Sequence, residues 1–295
     1  AASIAYAESY SPDMVEELRG IAEGARVSLV DVMLLQVRNQ LKPDAAGGCT
    51  SFSLGKSARA GRIVAQNWDN DPELDRFTIV LTRRPAGKPA FTTVTQAGLI
   101  SYIGFSEAGI GVCLNSLPAP SRKLGVPHYF TVREIYEART LDAVVHAVRR
   151  AERAIPANIM LTTPEGPADL EVTIDGVHVL ADPQRVTHTN HCRHPELATI
   201  NGEFPELIQS HDRQTRIDEL LAGAAIDDDP IAALQAVLRD HNGHPRSICR
   251  HANSDAGNGF WQTVFSVIIE PEAGRMHITR GTPCDRGYET YALGG

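Results

Sequence analysis

Several features are scarce in this sequence, and each scarcity removes a class of function. No apolar stretch approaches the roughly 18 residues needed to span a bilayer as a helix, so no membrane partner is expected. There is no basic run, and the net charge is −8, which argues against a nucleic-acid surface. The five cysteines (49, 113, 192, 249 and 284) are odd in number, widely spaced and without a CxxC pair. That pattern speaks for reduced thiols in a cytoplasmic setting rather than a disulfide framework. The one phosphate-loop candidate, Gly257-Asn258-Gly259, lacks the Walker lysine and a following helix. No internal repeat is visible. The chain opens without Met and without a signal-peptide pattern, as a processed or truncated end would.

What is present is an ordinary globular composition, 42% hydrophobic and 22% charged over 295 residues, enough for one large or two small domains. Ser11-Pro12-Asp13 signals a helix start, followed by an apolar face at Val15, Leu18, Ile21, Ala22 and Ala25. Ser28 with Asp31 resembles a capping box opening a second helix through Arg38. Residues 43–48 then read as a flexible linker. From Cys49 the pattern changes to strands at 49–55, 62–68, 76–83, 90–95, 99–104 and 109–115, short runs rich in Val, Ile, Thr and Phe. Thr131-x-x-Glu134 and Thr140 signal two helices. Strands return at 158–163, 169–174 and 177–181, the last two joined by Asp175-Gly176, a strong hairpin turn. Helices near 210–222 and 230–240 precede a terminal hairpin of 262–270 and 275–280. Strands together, helices clustered, then strands again predict a layered α+β architecture with antiparallel sheets rather than alternating βαβ units.

The stretch Gly47-Gly48-Cys49-Thr50-Ser51-Phe52 organises the chemistry. A cysteine opens a strand directly after two glycines, and Asp69 follows twenty residues later in Gln66-Asn67-Trp68-Asp69. This pattern suits self-cleavage of the Gly48–Cys49 bond. A free thiol is mostly protonated at neutral pH. An α-amine, with a pKa of about 7.7–8.0, is a well-matched base for it. Before cleavage that nitrogen is an amide, so the uncut chain would be a zymogen. Gly48 offers no Cβ to block attack. The competing reading is a buried structural cysteine at a strand start.

Asp69 could orient and tune the Cys49 ammonium, or simply cap a loop in Asp69-Asn70-Asp71-Pro72. Asn190, and Asn115 at the end of the 109–115 strand, could donate to an oxyanion, or be strand-end residues. Arg250 could stabilise a thiolate or bind a substrate carboxylate, or be an ordinary ion-paired residue. His188-Thr189-Asn190-His191-Cys192-Arg193-His194 first suggests a metal site, but on a strand His188, Asn190 and Cys192 would share one face and His191 the other. A second cluster, His241, His244, Cys249 and His251, matches no common zinc module. No metal or other cofactor is expected.

Taken in order, Gly-Cys-Thr-Ser-Phe at 48–52, Gln-Asn-Trp-Asp at 66–69, Gly-Val-Cys-Leu-Asn at 111–115, His-Thr-Asn-His at 188–191 and Ser-Ile-Cys-Arg at 247–250 resemble the acyl-coenzyme A:6-aminopenicillanic acid acyltransferase family. It is also called isopenicillin N acyltransferase or peptidase C45. Leu18-Arg19-Gly20-Ile21-Ala22-Glu23-Gly24 fits the segment before its cysteine. The resemblance implies the N-terminal-nucleophile hydrolase fold, a four-layer αββα sandwich of two antiparallel sheets. It also implies a precursor split into a small subunit (1–48) and a catalytic subunit (49–295), together one structural domain. By that similarity Cys49 is nucleophile and base, Asp69 holds its amine and Asn190 lies in the oxyanion hole; Asn115 and Arg250 match less securely. The related choloylglycine hydrolases carry an Arg where this chain has Gln66, which favours the acyltransferase-like branch. The expected function is amide hydrolysis or acyl transfer on a small N-acyl amide, β-lactam-like compound or acyl-coenzyme A, through a Cys49 thioester. Assembly of identical copies is left open. The competing readings are a choloylglycine-type amidase, an uncleaved binding protein in which Cys49 stays buried, and a metal-dependent hydrolase.

Overall fold

The computed structural model describes residues 2–41, 48–57, 59–224, 226, 229–255 and 259–294. Helix α1 (Ala2–Tyr10) leads into α2 (Pro12–Ala25), which buries Met14, Val15, Leu18 and Ala22. Helix α3 (Leu29–Gln36) carries the complete capping box expected of Ser28 and Asp31, and a last turn, α4 (Arg38–Leu41), follows. The expected linker falls, except for Gly48, outside the described residues. Gly48 itself is the first residue of a strand.

That strand is β1 (Gly48–Leu54), followed by β2 (Ile63–Asn70), β3 (Thr78–Arg83), β4 (Phe91–Gln96), β5 (Ile103–Ser106) and β6 (Gly111–Asn115). Helices α5 (His128–Ile135) and α6 (Leu141–Arg150) separate these from β7 (Ala157–Thr163), β8 (Gly166–Val172), β9 (Val177–Ala181) and β10 (Arg185–His188). After α7 (Ser210–Gly223) and α8 (Pro230–Leu238) come β11 (Gln262–Glu270), β12 (Arg275–Arg280) and β13 (Glu289–Ala292).

All strand pairings within the sheets are antiparallel. One sheet runs β10-β1-β2-β11-β12-β13 and the other β3 to β9 in sequence order. Their inner faces share the main core, in which Trp68 of the first sheet stacks on Phe265 and meets Tyr102, just before β5, edge to face at 5.9 Å. A second apolar cluster joins Phe52, Ile63, Ala65 and Ile268 to Ile217, Leu221, Leu234 and Leu238 of α7 and α8. On the far side Tyr136, following α5, stacks on Phe91 of β4, and Tyr10 donates to the Ala147 carbonyl of α6 at 2.9 Å. The result is the four-layer αββα sandwich. Among the described residues no helix is long and apolar enough to cross a membrane.

Three expectations shift. The strand expected at 99–104 pairs only from Ile103, because Gln36 of α3 claims the preceding backbone: its Nε2 donates to the Gly98 carbonyl and its Oε1 accepts from the Ile100 N–H. Helix α5 begins at His128, directly after Pro127, whose fixed φ of −59° already suits a helix entry; Thr131 is buried in the first turns rather than capping. Strand β2 runs through Asp69 to Asn70 because β11 extends the ladder there, with Thr263 opposite Asp69 and Gln262 opposite Asn70.

Candidate active site

The register of β1 against β2 places Gly48 opposite Asp69 and Cys49 opposite Trp68. Directly opposed residues share a face of the sheet, so the Cys49 side chain lies with Trp68, between the sheets, and Asp69 faces away. Cys49, itself buried, lines a cavity of about 260 Å³ whose wall mixes Trp68, Leu114 and Phe204 with Arg38, Asn39 and His128. Gln66 shapes this space. Its amide bonds both the N–H and the C=O of Leu114, on β6, where the β5 ladder has already ended.

Four polar groups converge on the cysteine. Its N–H donates to Asn190 Oδ1 at 2.9 Å, and Asn190 Nδ2 donates to the Ser116 carbonyl at 2.8 Å. Arg213, fully buried at the start of α7, donates through Nη1 to the Cys49 carbonyl and to Thr50 Oγ1 at 2.9 Å, and through Nη2 to Asn190 Oδ1 at 2.7 Å. Its Nε donates to the carbonyl of Ile208. The backbone N–H groups of Asp69 and Ser116 lie near the sulfur and favour its thiolate form. Burial, with the Asp69 charge, pushes the thiol up to about 12 against the pull of Arg213. In this intact chain the sulfur is therefore held as the protonated thiol at neutral pH.

Asp69 accepts from the Thr263 hydroxyl at 2.7 Å, while its second oxygen has no hydrogen-bond partner among the described residues. Burial pushes its carboxyl up to about 6, opposed by Arg213, the Thr263 hydroxyl and Arg250. Arg250 is buried and donates to Gln209 Oε1 and to the carbonyls of Pro245 and Trp261. It contributes charge near Asp69 rather than a contact with the sulfur. Asn115 lines the cavity, but its side chain accepts from Ser51 Oγ and donates to the carbonyls of His188 and Thr189. Its amide thus holds the two strands together. Strand β10 ends at His188, so Asn190 and Cys192 are not on its face. A cover segment completes the site: Ile208 and Gln209 both take left-handed backbone (φ 46° and 49°), and a Cβ on Gly48 would meet Ile208 Cδ1 at 2.8 Å. Only glycine fits at that position without displacing the cover.

A pH signature follows for Asp69. An acid raised from an ordinary 3.8 to about 6 takes up its proton earlier in the folded state, so its burial costs stability above pH 6 and is relieved as pH falls toward 4. Asp69→Asn cannot ionise. Compared in a Cys49→Ala background, the stability of the Asp69 protein relative to its Asn variant should drop by about 2 kcal/mol between pH 4 and pH 7. Urea unfolding across that range measures it; a flat difference would mean Asp69 keeps an ordinary acidity.

Residues 56–285 match the family described as acyl-coenzyme A:6-aminopenicillanic acid acyl-transferase. The chain belongs to this family. A relative within it, the 40 kDa form of acyl-coenzyme A:6-aminopenicillanic-acid-acyltransferase from Emericella nidulans, is 28% identical over 281 residues, 92% of this chain and 76% of that protein. Three solved structures share the fold of this acyltransferase-family chain, each over 83% of its length. They are a Caenorhabditis elegans N-acylethanolamine-hydrolyzing acid amidase ortholog (17% identical, all of that chain, TM-score 0.51), penicillin V acylase from Agrobacterium tumefaciens (11%, 86%, 0.54) and a variant of conjugated bile acid hydrolase from Clostridium perfringens (11%, 97%, 0.56). The fold is that of the N-terminal-nucleophile hydrolases, and the family is one of enzymes that transfer acyl groups. The matched range begins after Cys49, so the cysteine rests on its geometry and on the sequence pattern around it.

The sequence pattern does not single out Arg213, Thr263 or Ser116. An arginine three residues into Ser210-His211-Asp212-Arg213 reads as an exposed first-turn residue, and nothing local signals that β1 lies beside it.

Proposed function

We propose that this chain is a self-processing cysteine amidohydrolase or acyltransferase acting on a small N-acyl amide or acyl thioester. The observation that carries the proposal is the placement of Cys49, which lines the cavity while its nitrogen is held by Asn190 at 2.9 Å. In the first event Cys49 Sγ attacks the Gly48 carbonyl carbon, the Gly48–Cys49 C–N bond breaks, and the thiol proton passes to the Cys49 nitrogen, which leaves as a free amine. Water then hydrolyses the Gly48 thioester, yielding 1–48 and 49–295. The new amine takes the thiol proton in each later cycle. The thiolate attacks the substrate carbonyl, and the leaving amine departs with the proton. The S-acyl enzyme then passes its acyl group to water or to a second amine. With an acyl-coenzyme A donor the first step is thioester exchange, which releases the coenzyme thiol. The cavity is small by the standard of ligand sites, and the apolar part of its wall suits the acyl portion.

Asn190 Nδ2 carries two hydrogens, and Ser116 takes one. We assign the other to the oxyanion. Asn190→Ala should lower kcat on the order of 10²–10³-fold with KM little changed, the cost of one such donor. A kcat within about threefold of wild type would leave Asn190 a structural residue. In the processed enzyme Asp69→Asn removes a negative charge that favours the ammonium and leaves burial and the Arg213 charge, which both disfavour it, so the amine titrates lower. The acidic limb of the pH–rate profile should move down, and isotope-edited NMR of the α-amine separates that group from the coupled thiol.

The decisive test is a panel of N-acyl amides and acyl-coenzyme A esters with mass-spectrometric trapping. An acyl adduct on the 49–295 piece, located at Cys49, is the expected result. A turnover-competent enzyme with no adduct at Cys49 would overturn the proposal.

A further inference from the structure

Away from the Cys49 site, four potential ligands that lie far apart in sequence converge at one edge of the fold: His241 after α8, Cys249 and His251 in the segment leading to β11, and Cys284 in the turn before β13. One ligand atom from each lies within 4.8 Å of all the others. His251 Nε2 is the hub, 2.8 Å from His241 Nε2, 3.3 Å from Cys284 Sγ and 3.7 Å from Cys249 Sγ. We propose that these residues form a Cys2His2 binding site for a structural zinc ion.

The four groups crowd one imidazole nitrogen: His251 Nε2 has a single hydrogen or lone pair to offer three close neighbours, two of them thiols that are only weak donors. A cation at the centre satisfies all four at once. Tetrahedral zinc with bonds of about 2.0–2.1 Å to nitrogen and 2.3 Å to sulfur sets its ligand atoms roughly 3.3–3.8 Å apart. The observed separations bracket that range, so small side-chain rotations centre the ion. Two imidazoles and two thiolates are a donor set zinc prefers, and four protein ligands leave no open position for catalysis.

The surroundings agree. The Asp285 carboxylate is near enough to act on His251 by its charge, and it is fixed there by the Thr282 hydroxyl at 2.6 Å. His241 is exposed, and His251 and Cys284 are half-buried, which gives the ion a path in. The site would also tie three segments together. Cys249 N–H already bonds the Asp240 carbonyl, and Arg250, the next residue, faces Asp69 in the active site. The spacing 241/249/251/284 matches no compact zinc module, which is why the sequence pattern does not declare it.

The test uses the full-length protein, reduced and stripped by chelation, then titrated with Co²⁺ and with Zn²⁺. One equivalent of Co²⁺ should give the visible bands of a tetrahedral cobalt–thiolate centre, bleached by one equivalent of Zn²⁺. Zinc should raise the melting temperature of wild type. His241→Ala, a surface change, and Cys284→Ser should each lose the cobalt bands and the zinc-dependent rise. Wild-type protein that takes up no cobalt would overturn the proposal, and so would isolation with a Cys249–Cys284 disulfide. The wild-type titration decides the matter even where a variant fails to fold, and none of the readouts depends on amide turnover.

Discussion

Cys49→Ala is expected to be isolated as one uncut chain with no turnover of any substrate that wild type accepts. The same sulfur serves both steps in the proposed scheme, so removing it stops cleavage before residue 49 and acyl transfer together. Loss of a nucleophile of this kind costs on the order of 10⁶ in kcat. The fold should survive, because the backbone N–H of residue 49 still donates to Asn190 and its carbonyl still accepts from Arg213. Denaturing electrophoresis and intact mass give the answer directly. A variant still cut after Gly48 would show that another protease does the processing.

Arg213→Met should be nearly as damaging by a different route. The guanidinium is buried and donates to the Cys49 carbonyl, Thr50, Asn190 and the Ile208 carbonyl, while its charge offsets Asp69. Methionine fills much of the volume and offers no donor. The stranded acceptors and the unbalanced carboxylate should cost about 3–5 kcal/mol, the range for removing one partner of a buried charge set. Asp69 responds by rising further above about 6 and becoming neutral at pH 7. Urea unfolding should show the loss, and processing should slow because Asn190 is no longer held against the Cys49 nitrogen. Arg213→Lys separates charge from shape: it should restore the acidity of Asp69 without restoring the fork that grips both Cys49 and Asn190. A methionine variant of wild-type stability and processing would make Arg213 a bystander.

Features decided by neighbouring residues are legible in the amino-acid order alone. The Ser28–Asp31 capping box and the Thr140 cap on Ala143 act within a few residues and are found as expected; the hairpin around Asp175-Gly176 is found too, though its loop spans Thr173–Gly176 because β8 already ends at Val172. Asn190 beside Cys49 is signalled by the order of short motifs and the family resemblance. Features set by distant partners are not legible in this way. Strand β10 is four residues long and exists because β1 offers it an edge, and β13 depends on β12 in the same way. Gln36 reaches 62 residues along the chain to Gly98, an interaction without a periodic trace. Asn115 reads as a free donor in the sequence but is committed to the backbone of His188 and Thr189, which only the packing of β6 against the other sheet determines. Arg213 is the clearest case, since its local sequence suggests solvent and its environment is the interior.

The position of β1 in its sheet carries one more consequence. A newly released chain end ordinarily frays, and localising it again would cost conformational entropy. Here the proposed new terminus is paired with β2 from its first residue and with β10 from Ser51 onward, and a cut before Cys49 removes only the Gly48–Asp69 pairing; Cys49 to Leu54 keep their partners. The amine is thus delivered to its own sulfur with its translational freedom already spent, an intramolecular base of high effective concentration. No lid closure or ordering step is needed to assemble nucleophile and base. Any delay between cleavage and first turnover would then report the departure of the upstream residues from under Ile208, and a burst experiment on freshly processed enzyme could time it.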